Sequence, residues 1–422
     1  MVLNRVRTHS TAFILGVTCR LPNSWTAASA ACLSVCFLAL AVAQNRPSPS
    51  SSGVSFAALS AKADAARDAN RLDEALPLYR KALAMRPGWA EGWWSLGTIS
   101  YDRNSYAEAT RAFEKVIRLA PRNGTAFVML GLSEFELGHD DPALKDIEKG
   151  TSLGLDTDPE LRHVALYHEG VLLQRQGKFQ AAQEIMEQLC LQGVQSDEVA
   201  AGLGMTLLRK RGKSPPPQGS TDAEIVSRLG GAACLVGQKK FDEAREDMDA
   251  VVRQHGNYPG IHYAYGLLLV EASDLPAAVA EFKAEIQNQP ADVVSRLQIA
   301  ATTYKTDSAS GLPYAEEAAK LAPQQPFAHY LLGLLLLDTG NHERAIPELE
   351  IAQKAFPGET RIYLALGTAY SRAGRKQDAA RARATFQRLT DKLQQPGARG
   401  QSAPEDTGTE SLPFGELPSP PQ

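Results

Sequence analysis

A spacing of 34 residues restricts this chain more than any single motif in it. The stretch 326–359, PFAHYLLGLLLLDTGNHERAIPELEIAQKAFPGE, holds Leu332-Gly333, then Gly340, Ala345, Leu349, Ala352 and Pro357. Leu332 and Leu336, like Leu349 and Ala352, recur at helical spacing, which makes two short amphipathic helices. Gly340 supplies the turn between them, and Pro357 closes the second. Gly333 and Ala345 are small enough for two helix backbones to approach where the helices cross. A hairpin of this size cannot bury both of its faces, so the next copy has to serve as its core. The same frame places Gly97, Asn104, Ala109, Phe113, Val116 and Pro121 in 90–123. It places Gly131, Gly138, Ala143, Ile147 and Gly150 in 124–157. Strand-like alternation is lacking, and the expected class is all-α.

Trp93-x-x-Leu96-Gly97 with Tyr106, Ala109, Phe113 and Pro121 resembles the tetratricopeptide repeat, as does the run from Leu332 to Pro357. The resemblance implies a right-handed alpha-alpha superhelical solenoid of about nine repeats. Further copies fall at 56–89, with Ala63, Ala75, Tyr79, Ala82 and Pro87, and, after a five-residue shift at Asp156-Thr157-Asp158-Pro159, at 163–196. The series resumes at 225–258, 259–292, 293–325 (one residue short), 326–359 and 360–393. Between 196 and 225 the pattern falters. Leu203-Gly204 marks a first helix, but a second is replaced by RKRGKSPPPQGS, whose consecutive prolines cannot continue a helix. A loop is therefore expected at 212–221, between an array at 56–211 and another at 222–394. Lys376, Arg381, Arg383 and Arg388 read as the solvated face of a terminal helix. Residues 395–422, with six prolines and little apolar material, are expected to be disordered.

The N-terminus carries its own signal. Arg5, Arg7 and Arg20 precede the apolar run AASAACLSVCFLALAVA at 27–43, which ends small-x-small at Ala41-Val42-Ala43. The expectation is a secretory signal peptide, 1–43, cleaved before Gln44, followed by a polar linker at 44–55. Retention of the run as a membrane anchor is the alternative. Loss of the three arginines takes the formal charge from −4 to −7, which lacks the basic footprint of a nucleic-acid binder. Cys19, Cys32 and Cys36 fall in the leader. Cys190 and Cys234 lie in different repeats and are read as buried thiols rather than as a bridge, although an exported chain permits one.

Catalytic, cofactor and metal signals are missing from the motifs. His163 and His168 are five apart and do not share a helix face as an i,i+4 metal pair would. Neither His168-Glu169 nor His342-Glu343 is followed by the second histidine of a metalloprotease helix. Gly202-Leu203-Gly204 lacks the third glycine of a dinucleotide loop, and no nucleophile elbow or phosphate loop is present. The expectation is a protein without enzymatic activity, cofactor or metal. A hydrolase with an unrecognised site is the poor alternative.

In the resembled family, the first helix of each hairpin lines a concave peptide-binding surface. Carried to this chain, those positions include Trp94, Phe135, Tyr167, Tyr263, Tyr304 and Tyr330, with Val128, Leu132, Val171, Leu267 and Leu334 between them. Such rings offer apolar faces with polar handles, suited to an extended peptide or a helix. For each ring, filling the inner side of the superhelix is an equal alternative. The Lys, Asn and Arg with which chaperone-binding members clamp a terminal carboxylate are replaced by Trp94, Thr98, Tyr330 and Leu334 at the matching positions. The implied function is a scaffold that binds a protein or peptide in the bacterial cell envelope, periplasmic or extracellular. A structural adaptor that uses convex or terminal surfaces is the second reading.

Overall fold

The computed structural model describes residues 55–155, 159–194, 196–212 and 215–394. The expectations for the leader, the linker up to 54 and the tail lie outside these residues. Among the described residues there are nineteen helices and no strand, so the chain is all-α. No helix among them is long and apolar enough to cross a membrane. The chain divides into two compact units between His168 and Glu169.

The first unit contains three hairpins. α1 (Phe56–Asp68) pairs with α2 (Leu72–Met85), α3 (Ala90–Asp102) with α4 (Tyr106–Leu119), and α5 (Gly124–Glu136) with α6 (Asp140–Leu153). Neighbouring hairpins meet through α2 against α3 and α4 against α5. Ala63, Ala75, Tyr79, Leu83, Leu96 and Ile99 bury one core across the first two hairpins. This is the nearest-neighbour burial that the 34-residue spacing demands. α7 (Pro159–Gln176) begins in this unit and carries the division.

The second unit continues with α8 (Phe179–Leu191), α9 (Asp197–Leu207), α10 (Thr221–Gly237) and α11 (Phe241–His255). Four regular hairpins follow. They are α12 (Ile261–Glu271) with α13 (Leu275–Asn288), α14 (Val293–Thr303) with α15 (Ser308–Leu321), α16 (Pro326–Asp338) with α17 (His342–Ala355), and α18 (Thr360–Arg372) with α19 (Lys376–Gln394). First helices of successive hairpins touch, α12 to α14 to α16 to α18. One apolar cluster runs from Leu297 through Leu332 and Leu349 to Leu366.

The crossing rule is uniform. A methyl built on Gly97 would stand 2.8 Å from Phe113, on Gly131 2.7 Å from Ile147, on Gly266 2.4 Å from Phe282 and on Gly333 2.6 Å from Leu349. In each case the partner lies sixteen residues on, so a large second-helix side chain fills the space that the missing Cβ leaves. Seven residues after the same small position the chain turns through positive φ. Glycine occupies that turn at Gly138 and Gly340, whereas Asn104, Lys239 and Ser273 adopt φ of 57°, 63° and 62°. Asparagine tolerates this region, while lysine and serine enter it at a steric cost.

The stretch that falters in sequence is built differently from the rest. α9 does have a partner helix, and it is α10, reached across 208–220. The two cross backbone on backbone. A methyl on Gly204 would fall 1.9 Å from the Val226 carbonyl oxygen, and one on Gly230 would fall 1.7 Å from that of Ala200. α10 also packs on α8 and α11. The buried-thiol reading is overturned, because Cys190 of α8 and Cys234 of α10 form a disulfide with their Cα atoms 5.3 Å apart. Sequence distance misled here: α10 folds back over α9 and brings its fourth turn to the end of α8.

Candidate protein-binding face

Four residues before the small position, five of the first helices carry a side chain that holds the preceding linker, the second helix or both. Trp93 Nε1 donates to the Pro87 carbonyl at 2.7 Å, and the Tyr363 hydroxyl donates to the Pro357 carbonyl at 2.9 Å. His329 Nε2–H donates to the Pro323 carbonyl at 3.0 Å, while its Nδ1 lies 2.6 Å from the Glu348 carboxylate. His262 meets Glu281 at 2.6 Å in the same register. Arg296 meets Glu317 at 2.8 Å and donates to the Asp292 carbonyl at 2.6 Å. The Glu281 carboxylate raises the pKa of His262, against the opposing effect of burial. In these five repeats the polar groups are occupied in holding a linker, a second helix or both.

The six rings selected by register divide between core and surface. In the first unit Trp94 is half-buried, edge-on to Phe113 at 5.5 Å. Phe135 and Tyr167 are also half-buried and stand edge-on to the buried His168 ring at 4.7 and 5.3 Å. Val128 and Leu132, between them in register, are fully buried. In the second unit Tyr263 and Tyr330 are 4% and 6% exposed, so they fill the core. Burial raises the Tyr263 pKa. Tyr304 is half-buried at the C-terminus of α14, with the Lys305 ammonium 5.2 Å from its ring. Three of the six belong to each unit, and two of those in the second are interior.

A more continuous feature of the second unit lies one and four residues after the small position. Leu267 and Val270 of α12, Ala301 of α14 with Tyr304, and Leu334 and Leu337 of α16 are all half-buried. Positions three apart share a helix face, and the three helices are in contact, so these residues form a strip across α12, α14 and α16. Ala301, Tyr304, Leu334 and Leu337 rest on the same apolar cluster beneath. Lys305 and Asp338, one residue further on in their repeats, are exposed and opposite in sign along its edge, whereas the Glu271 carboxyl at the same register is held towards its neutral form by burial and by Glu187. Sequence reading picked out Leu267, Leu334 and Tyr304 but missed Val270, Ala301 and Leu337. Applying the Tyr304 register to every repeat would have found Val270 and Leu337, and that of Leu334 would have found Ala301.

Family models for the tetratricopeptide repeat match residues 60–124, 235–293, 304–360 and 330–394, and a second such model matches 163–188. Together they cover more than half of the chain. The chain belongs to the tetratricopeptide repeat family. Proteins of this family generally mediate protein–protein interaction, bind protein or peptide partners and are typically non-catalytic scaffolds. A human protein, Protein O-mannosyl-transferase TMTC3, is 28% identical over 120 residues, which are 28% of this chain and 13% of that protein. This tetratricopeptide repeat chain therefore matches about an eighth of that relative's length. Among solved structures, yeast Tom70 is 12% identical, with 80% of this chain and 84% of that one covered at a TM-score of 0.32. A tetratricopeptide repeat protein from Parabacteroides merdae is 15% identical, with 67% and 98% covered at a TM-score of 0.31.

Proposed function

We propose that this tetratricopeptide repeat protein is a non-enzymatic scaffold of the bacterial cell envelope that holds an apolar segment of a partner protein on the first-helix face of its second unit. The observation that carries this reading is the strip of Leu267, Val270, Ala301, Tyr304, Leu334 and Leu337, half-exposed over a fully packed core and edged by the opposite charges of Lys305 and Asp338. Apolar side chains on such a strip bury area on binding, and the edge charges set register and orientation. The Cys190–Cys234 disulfide supports a location outside the cytoplasm, where such bonds persist. The basic-apolar-small leader ending at Ala43 supports export by an independent route.

The test combines crosslinked-partner capture in the native envelope with Leu267→Glu and Leu334→Glu in the full chain, each checked for helicity. The expected outcome is loss of one reproducible partner, with a mature terminus at Gln44. Unchanged capture by both variants, with crosslinks on second helices instead, would favour the structural-adaptor reading. An unprocessed cytosolic product would remove the envelope assignment.

A further inference from the structure

The last hairpin leaves one face of its first helix open. Three residues before the small position, Tyr263, Leu297 and Tyr330 are 4%, 0% and 6% exposed in successive repeats. At the same register in the last repeat Leu364 is 55% exposed. Arg361, Leu364, Thr368 and Ser371 are all exposed and recur at helical spacing, so they form one continuous face of α18. On α19, Arg383 takes the crossing position that Phe282 and Leu349 hold in other repeats. Its Cγ lies 3.3 Å from where a Gly367 Cβ would stand, and the residue remains exposed. The surroundings are strongly basic: residues 360–394 carry eight lysines and arginines against Asp378 and Asp391. The remainder of the chain has the opposite character. Residues 395–422 hold Glu405, Asp406, Glu410 and Glu416 against Arg399 alone, and between these acids lie Leu412 and Phe414, with Leu417 just after them.

We propose that the chain's own segment 405–417 docks on the open face of α18 and α19, its carboxylates beside the arginines and its apolar residues over Leu364. Sign complementarity favours this occupant, because an acidic stretch with apolar residues suits a hairpin that carries a net positive charge and exposes Leu364. Reach also favours it. Ten residues separate Gln394 from Glu405, enough to extend about 35 Å, whereas α18 is about 20 Å long. Being tethered to the hairpin it covers, the segment acts at an effective concentration in the millimolar range. Docked there, it would close the end of the stack and meet any partner that extends along the strip as far as α18.

Hydrogen exchange of α18 in the full chain tests this. The tail variant Leu412→Ser/Phe414→Ser/Leu417→Ser changes no residue of the helices, so their folding is not in question. Amides of 361–372 are expected to exchange at least ~threefold faster in that variant than in the unaltered chain, and to approach the same rates when salt is raised. Leu364→Asp, with helicity unchanged, is expected to give the same loss of protection. Equal exchange in the unaltered chain and the tail variant would overturn the proposal. Protection that disappears on dilution would overturn it as well, because the segment would then sit on a second copy. Neither result depends on the identity of a partner for the strip.

Discussion

Two adjacent glycines of α10 are expected to respond to the same substitution in opposite directions. Gly230 lies where α10 crosses α9, and a methyl there would meet the Ala200 carbonyl oxygen at 1.7 Å. Backbone cannot yield as a side chain can, so Gly230→Ala should cost about 3 kcal/mol through overpacking and separation of the helices. Gly231 has nothing within 4 Å of the added methyl. Gly231→Ala should therefore gain about 0.5–1 kcal/mol by restricting the unfolded chain and favouring helix. Urea denaturation of the two variants checks the pair; similar losses in both would mean that the α9–α10 crossing is not as close as described. Gly333 and the other crossing glycines were legible from sequence because they recur at the repeat spacing. Gly230 was not, because its register belongs to a crossing that occurs once.

At the scale of elements, α10 shows where periodicity stops being a guide. The sequence frame read 225–258 as a regular hairpin and left α9 without a partner, whereas α10 packs on α8, α9 and α11. The pattern of Ala232, Ala244 and Met248 is compatible with both arrangements, since an alanine-rich helix carries little information about which neighbour covers it. The disulfide fixes the choice covalently by tying α10 to the end of α8. It closes a loop of 44 residues, which removes unfolded-chain entropy worth about 4 kcal/mol on the chain-entropy account. Cys190→Ala/Cys234→Ala should lower the unfolding free energy of the second unit by roughly that amount, with little change in helix content under native conditions. Denaturant titration followed by circular dichroism makes the measurement; a double variant as stable as the parent would show that packing alone holds α10. Regular hairpins, by contrast, were readable almost to their ends, because each satisfies its burial locally with its neighbour in the series.

For the molecule as a whole, the titrating groups predict a stability that declines from about pH 5 to pH 8. Gln183 Nε2 of α8 donates to Glu187 at 2.7 Å and, across 88 residues, to Glu271 of α12 at 2.9 Å, which brings the two carboxyls together. Burial, then repulsion from Glu187, raises the pKa of Glu271; the residue keeps solvent contact, which tempers the shift but not its direction. Burial likewise raises Glu187 and Asp146, and Glu281 raises His262. In each of these the folded state holds the proton more tightly, so the contribution is complete below the ordinary value and is lost as pH climbs through the folded one. Glu108 beside Arg80 shifts downward, and its contribution is lost only in acid. Melting temperatures should therefore fall between pH 5 and 8, and less steeply in Glu271→Gln; a rise over this range would contradict the assignment. The candidate face was half legible for a related reason. Register alone locates a residue on the first helix, but whether Tyr330 is interior and Leu334 half-exposed depends on how closely the next hairpin is seated. The Cys190–Cys234 bridge also governs how the chain responds to a nick. Arg209, Lys210 and Arg211 fall inside the span that it closes, and Arg211 is exposed. A tryptic nick there would leave two polypeptides still joined, which would migrate as one band until a reducing agent released them.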